Sequence, residues 1–403
     1  MQLRHNLVRG GYRNVKTKIS KILLLILLIT NMLPTQVLAN TEENQNEVIV
    51  EEQKEMFGIN SFIKNAKEYS GEFFAEIDLQ EMLNSAIKGE MDNTSIYQKI
   101  FNLLGEEVKI GIKSLISILV IVIIHSILKS ISENLENKEL SKIIYYVQYI
   151  AIVTIIMTNF SDIIAIVRDT ATNLVGFMNS LIPILISLML YTGSITTSSV
   201  LEPIILFMVN LIGNLIQNFL IPSVLIVTTL SIISQIGDKV QINKLAKFFN
   251  SGIVWLLGVI LTIFVGIISL EGTLSSSVDG ITAKTTKAIV SSSIPIVGKI
   301  LGDAVDSVLG CGIILKNAIG VIGVIIIIGI CIMPIIKIAI LTISYKVLAG
   351  ICEPIADEKI IKLLDQIGNI FKVLLAILCS MSVMVIIGTT LVIKISNSGM
   401  MYR

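Results

Sequence analysis

The chain of 403 residues is 53% hydrophobic and only 15% charged, with a mean hydropathy of +0.83. Soluble proteins carry charge on about a quarter of their residues, so much of this chain must contact lipid. The same figures exclude a disordered chain, a collagen, a coiled coil and a secreted disulfide scaffold. The formal net charge of +1 lacks the basic excess of a nucleic-acid-binding protein, so no nucleic-acid partner is expected.

The first 39 residues have the layout of a secretory signal peptide. Residues 1–21 hold six Lys or Arg and no acid, the run 22–33 is apolar, and small or short side chains end at Ala39. This order predicts cleavage after Ala39. An uncleaved anchor is the alternative, although the apolar run is shorter than the roughly 20 residues that cross a bilayer. In both cases residue 40 begins outside the cytoplasm.

Residues 40–108 form an acidic segment, with fifteen Asp or Glu against five Lys. Apolar residues recur at helical spacing from Phe62, which predicts short amphipathic helices. Asp78 and Glu81 have capping-box spacing, and Gly89 stands where that helix should end. The segment is too poor in apolar residues to fold alone. It therefore packs on the membrane surface or on a partner, or it is a solvated spacer with marginal helices.

Residues 109–403 predict an all-α, polytopic transmembrane helical bundle with seven or eight crossings. The apolar stretches lie at 110–128, 143–160, 174–191, 201–220, 221–236, 252–270, 318–336 and 373–393, with a further segment at 338–352. Each crossing must be helical, because lipid offers backbone groups no other hydrogen-bond partner. The stretch 221–236 is short and follows its predecessor at Pro222, so a tight hairpin there is one interpretation.

The lysines of the connecting loops give the orientation. With residue 40 outside, loops 129–142 and 237–251 fall inside, and each contains three Lys, as the positive-inside rule expects. Region 271–317 then falls outside although it holds four Lys. Either the number of crossings is off by one or this region is not a simple loop.

Region 271–317 combines small, hydroxyl and charged residues in a way that is unusual for a 47-residue loop. Its candidate functional or packing residues are Asp279, Lys284, Lys287, Gly298, Gly302, Asp303, Asp306 and Lys316. The two glycines have the GxxxG spacing that allows close helix contact, and the last two aspartates share one helical face. One interpretation is a set of re-entrant or membrane-lying helices around a polar cavity. The other is helices that rest on the outer surface with solvated aspartates.

Three ionisable residues interrupt other apolar stretches. Lys113 lies near the outer end of its stretch and can snorkel to water, and His125 is either a packing residue or a proton relay. Glu202 is expected in the first turn of a helix, where the helix dipole favours an acid.

The sequence shows no catalytic or cofactor-binding motif. It has no GxSxG elbow, HExxH pair or complete Walker loop, so no enzyme activity and no cofactor are predicted. The four cysteines, which form no CxxC pair, are expected to be packing residues rather than metal ligands. They are Cys311, Cys331, Cys352 and Cys379.

The order of these features resembles the stage III sporulation protein AE family of endospore-forming bacteria. The most specific part is EGTLSSSVDGITAKTTKAIVSSSIPIVGKILGDAVDSVLGCGIILKNAIGVIG, from Glu271 to Gly323. The resemblance implies a multi-pass protein of the mother-cell membrane around the forespore. It also implies partners among the other stage III A operon membrane proteins, including an ATPase and ring-forming subunits. It carries over no catalytic residue.

Two functions therefore remain. The resemblance implies a core subunit of a channel or secretion-like complex that links mother cell and forespore and is needed for late forespore gene expression. The alternative is a stand-alone secondary transporter for a small solute, which predicts an internal repeat with paired broken helices. No convincing repeat is present in the sequence.

Overall fold

The computed structural model describes residues 43–74, 77–90, 94–134, 138–236, 243–293 and 297–398, and within them it contains helices and no strand. Three short helices come first: α1 (Glu43–Met56), α2 (Ile59–Ser70) and α3 (Leu79–Lys88), with a 3-10 turn (Gly71–Phe74) between the last two. The predicted signal peptide lies outside the described residues.

Six long helical segments follow. They are α4 (Thr94–Asn134), α5 (Lys138–Tyr191), α6 (Ile195–Leu215) with its π turn (Ile216–Leu220) and α7 (Ile221–Ile236), α8 (Asn243–Ser293), α9 (Val297–Cys352) and α10 (Glu358–Ser398). Each is long and apolar enough to cross a membrane. The all-α, polytopic character predicted from the sequence is confirmed.

Several apolar stretches that the sequence separates are continuous in the structure. Stretches 143–160 and 174–191 both belong to α5, while 318–336 and 338–352 both belong to α9. The interpretation of a hairpin at Pro222 is wrong, because Ile221 has helical dihedral angles (φ −61°, ψ −50°) and the π turn passes directly into α7. Pro222 stands at the second position of α7, beside the π turn, where the ladder of backbone hydrogen bonds is already irregular.

The long helices share two ends, which we name the cap end and the turn end. At the turn end, Tyr145 near the start of α5 donates a hydrogen bond to the carbonyl of Gln235 near the end of α7 (2.8 Å). Lys359 at the start of α10 lies over the ring of Tyr145, 5.7 Å from its centroid. At the cap end, Gln53 of α1 bonds the Val308 carbonyl of α9 (3.1 Å).

Contacts along α5 give the directions of its neighbours. Thr172 accepts a hydrogen bond from Gln217 (3.0 Å), so α6 and α7 run antiparallel to α5. Asn159 donates to the hydroxyl of Tyr345 on α9 (2.9 Å), and α9 is also antiparallel because its earlier residues reach the cap end. Phe160 packs on Phe371 of α10 (6.4 Å between centroids), and α10 runs parallel to α5.

Large apolar side chains are exposed mainly in the half of the bundle nearest the turn end. On α5 these residues all lie between 143 and 157, except Leu190, and the described part of α9 exposes only Ile343, Val347 and Ile351. An apolar belt around a helical bundle is the surface that lipid covers. The turn half is therefore lipid-facing on α4, α5 and α9.

Helices α1 to α3 pack on the cap half of the bundle. Phe62 lies against Phe177 of α5 (5.8 Å between centroids), and Phe74 packs closely on Gly329 of α9. The apolar side chains of this layer are buried, among them Ile59, Ile63, Leu79 and Leu83. The sequence suggested the membrane surface, a partner or a solvated spacer for this segment, whereas the structure places its apolar face on the chain's own long helices.

Candidate functional site

The sequence block 271–317 is helical and belongs to two long helices. Residues 271–293 complete α8, and residues 297–317 begin α9. Seven of the eight predicted site residues lie where only the backbone is described: Asp279, Lys284 and Lys287 on α8, and Gly298, Gly302, Asp303 and Asp306 on α9. Their mutual geometry lies outside the described side chains, so a polar cavity between them stays a prediction.

The start of α9 reaches beyond the cap end of α5. A Cβ atom on Gly312 would lie 3.0 Å from Tyr191 and 3.1 Å from Thr192, where α5 ends. Fifteen residues of α9 precede this contact, from 297 to 311, which is about 22 Å of helix at roughly 1.5 Å per residue. The α9 part of the block therefore continues that helix past the α5–α6 turn.

Lys316 is the predicted site residue whose side chain the structure describes, and it is fully buried. It follows Gly312 by one turn of α9 and precedes Gly320, which packs directly on Ile393 of α10. These three positions share one face of α9, so the lysine is enclosed between the α5–α6 turn and α10. The sequence placed Lys316 in the polar block, whereas the structure places it inside the bundle.

The structure brings together a polar cleft that the sequence did not indicate. Glu107 of α4, Asn159 and Asp162 of α5, and Lys337 of α9 line a space of about 120 Å³ beside Gly111. Glu107 belongs to the acidic segment in the sequence, Asn159 and Asp162 lie at the end of the apolar stretch 143–160 and just after it, and Lys337 separates the stretches 318–336 and 338–352. Only helix packing shows that two carboxylates and an ammonium group face one space, since they lie on three different helices.

The remaining sequence candidates are dispersed. Lys113 is exposed on α4, and the side chain of His125 lies outside the described ones. The first-turn position expected for Glu202 is wrong, because α6 begins at Ile195, two turns earlier. The described residues contain no cluster of His, Cys, Asp and Glu that could hold a metal ion, and the cysteines are free thiols in them.

The family model described as stage III sporulation protein AE matches residues 77–396, which include α3 and the six long segments except the last two residues of α10. The chain belongs to the stage III sporulation protein AE family. A curated relative, the stage III sporulation protein AE of Bacillus subtilis (strain 168), is 31% identical over 304 residues, which is 75% of this chain and 76% of the relative. No solved structure matches this sequence.

Membership of the stage III sporulation protein AE family identifies a sporulation-related, multi-pass membrane protein, and the family is not one of known enzymes. The matched region contains the polar block, Lys316 and the cleft at Asp162. Helices α1 and α2 precede it, although they pack on α5 and α9 inside it. In this member of the family, the described residues form a six-segment bundle with an acidic helical layer on its cap half.

Proposed function

We propose that this protein is an integral membrane core subunit of a channel or secretion-like complex that links mother cell and forespore. In this role it is needed for late forespore gene expression, and it acts in the mother-cell membrane around the forespore. The observation that carries the proposal is the family match over residues 77–396, because it spans the membrane body and not a single motif.

The cap layer supports assembly with partners. Helices α1 to α3 use their apolar face against α5 and α9, which leaves the charged face outward, including Glu51, Glu52 and Glu68. An acidic surface held on a rigid bundle is available to basic partners. The partners proposed are other stage III A operon-type membrane proteins, with an ATPase that supplies energy and subunits that form rings. This subunit itself is proposed to lack catalytic activity.

The test is a clean deletion in the native spore-former, followed through engulfment by microscopy and a late forespore transcriptional reporter. The expected result is normal engulfment, then a shrunken forespore with a silent reporter, and rescue by the intact gene. Normal spores from the deletion strain would overturn the proposal. Solute uptake by the purified protein alone in liposomes would instead support a stand-alone transporter.

A second test addresses the polar block. Asp303 and Asp306 lie three residues apart on α9, beside the GxxxG pair, and we propose that they contact a partner or line a polar cavity. The double variant Asp303→Asn with Asp306→Asn should reduce spore yield while the protein remains in the membrane fraction at its normal level. A normal yield would remove these aspartates from the proposed site.

A further inference from the structure

A row of polar residues runs along the first half of α10, and we name it the α10 stripe. Its members are Glu358, Lys362, Asp365, Asn369 and Lys372. They are spaced by four, three, four and three residues, which places them on one face of the helix. Four are exposed and Asn369 is partly exposed. The row covers 14 helical steps, or about 21 Å at roughly 1.5 Å per residue.

Ion pairs and hydrogen bonds connect the members of the α10 stripe. Lys362 pairs with Glu358 at 2.6 Å, although their side chains are 55% and 80% exposed. Asp365 accepts a hydrogen bond from Asn369 (3.2 Å) and pairs with Lys346 of α9 at 2.5 Å. The stem of Lys346 crosses Gly368, where a Cβ atom would approach it to 3.2 Å.

The stripe lies at the depth of the apolar belt. Lys359, one residue after its first member, lies over Tyr145 of α5, and Phe371, one residue before its last, packs on Phe160 of α5 and Tyr345 of α9. Between these heights α5 exposes Val147 and Ile150. On α9, Lys346 itself stands between the exposed Ile343 and Val347. The charged face and the lipid-facing residues thus share one level of the bundle.

Lipid is an unsuitable environment for the α10 stripe. A charged side chain near the bilayer centre costs several kcal/mol, and intramembrane charges therefore face protein or a water-filled space. The stripe extends over about two thirds of a hydrocarbon layer of roughly 30 Å, so snorkelling to one surface does not reach all of its members. The side chains of Glu358, Lys362 and Asp365 are nevertheless 80%, 55% and 52% exposed, so the described residues do not enclose these ion pairs.

We propose that the α10 stripe lines a water-filled path through the lipid-facing half of the bundle. The path suits small hydrophilic solutes of either charge, because acidic and basic groups alternate along it. Toward the cap end the same face continues with the small, partly exposed residues Ala376, Cys379 and Ser380. The inference deepens the proposed channel function and rests on it for the compartments that the path would connect.

Cysteine accessibility in native membranes tests the path. Single cysteines replace Asn369 and Lys372 in a full-length chain whose four native cysteines are changed to Ser or Ala. The lipid-facing controls are Ile343→Cys and Val347→Cys, which lie on either side of Tyr345 and Lys346, the α9 residues that contact Phe371 and Asp365 of α10. The probe is a membrane-impermeant, positively charged methanethiosulfonate. Because the reactive species is the thiolate, which requires water, the two stripe positions should react at least about ten times faster than the controls.

Each other outcome overturns the proposal. Equally slow reaction at all four positions would show that another protein surface covers the stripe. Equally fast reaction would place this part of the bundle outside the bilayer. Lys362→Cys provides a third stripe position if one variant fails to reach the membrane fraction. The readout is the rate of a chemical reaction and needs no sporulation phenotype. The accessibility test can therefore contradict the path while the deletion supports the proposed function, and it can support the path while the deletion contradicts that function.

Discussion

Glycine residues determine how closely the cap helices approach the bundle. The ring of Phe74 packs directly against the backbone of Gly329 on α9, and the ring of Tyr69 packs against Gly176 on α5. A Cβ atom added at Gly176 would lie 2.6 Å from the Cε1 atom of Tyr69. In both places an aromatic side chain of the cap occupies the space that any other residue would fill. These contacts hold the acidic layer against the long helices.

Gly329→Ala should loosen the cap. The new methyl group would overlap the ring of Phe74 and lie 2.9 Å from Phe73, and the two rings already pack on each other at 4.8 Å, so they have little room to move. Overpacking of this kind costs about 1–3 kcal/mol. Limited proteolysis of the full chain in membranes should show faster cleavage between residues 43 and 93.

Gly350→Ala is the matched control on the same helix, since nothing lies within 4 Å of a Cβ atom at Gly350. Alanine there removes the helix penalty of glycine, about 1 kcal/mol, without a clash. Cleavage of the cap should be as slow as in the unaltered protein. Identical cleavage in the two variants would show that Gly329 does not position the cap.

Among the elements, α3 shows that sequence signals a few residues apart predict where a helix begins and ends. Asp78 accepts hydrogen bonds from the amides of Gln80 (2.8 Å) and Glu81 (3.4 Å), and Gly89 ends the helix with φ +75°. Both features were predicted, because a cap depends on residues three or four apart. The continuity of α5 was not predicted, since the polar residues 161–173 resemble a loop by hydropathy. They contain no Gly or Pro, so nothing in them stops a helix.

Asp78→Ala should destabilise α3. The first-turn amides would lose their acceptor, and the loss of an N-cap costs about 0.5–2 kcal/mol. Asp78→Asn should lose much less, because asparagine caps helices nearly as well. Hydrogen exchange of amides 79–88 in the full-length protein measures the difference. Unchanged protection in the alanine variant would mean that burial of Leu79 and Leu83, and not the cap, holds the helix.

At the scale of the whole molecule, the sequence predicted the class of fold. It did not predict how the cap helices pack or that a polar cleft forms. The cap packs on residues more than 100 positions away, as in the pair of Phe62 with Phe177. The cleft joins Glu107 to Lys337 across three helices. Hydropathy and periodicity describe neighbours along the chain, so neither signal contains such contacts. Only the register of the long helices brings these residues together.

The register also makes a prediction about topology. The six candidate spans are an even number, so the cap helices and the end of α10 should lie on the same side of the membrane, whereas seven crossings would separate them. The α4–α5, α7–α8 and α9–α10 connections should lie together on the other side. Lysines cluster in the helix starts beside these connections, at Lys138, Lys142, Lys244, Lys247 and Lys359, which favours the cytoplasm for the turn end.

Reporter fusions decide the matter. Alkaline phosphatase, which folds only outside the cytoplasm, should be active when fused after Arg403 and inactive when inserted into the turn 353–357. A fluorescent protein that folds only in the cytoplasm should give the opposite pattern at the same two sites. Activity of the phosphatase at 353–357 alone would reverse the orientation. The same reporter signal at both sites would mean that α10 does not cross the membrane. The α10 stripe would then belong to a surface helix and not to a path through the membrane.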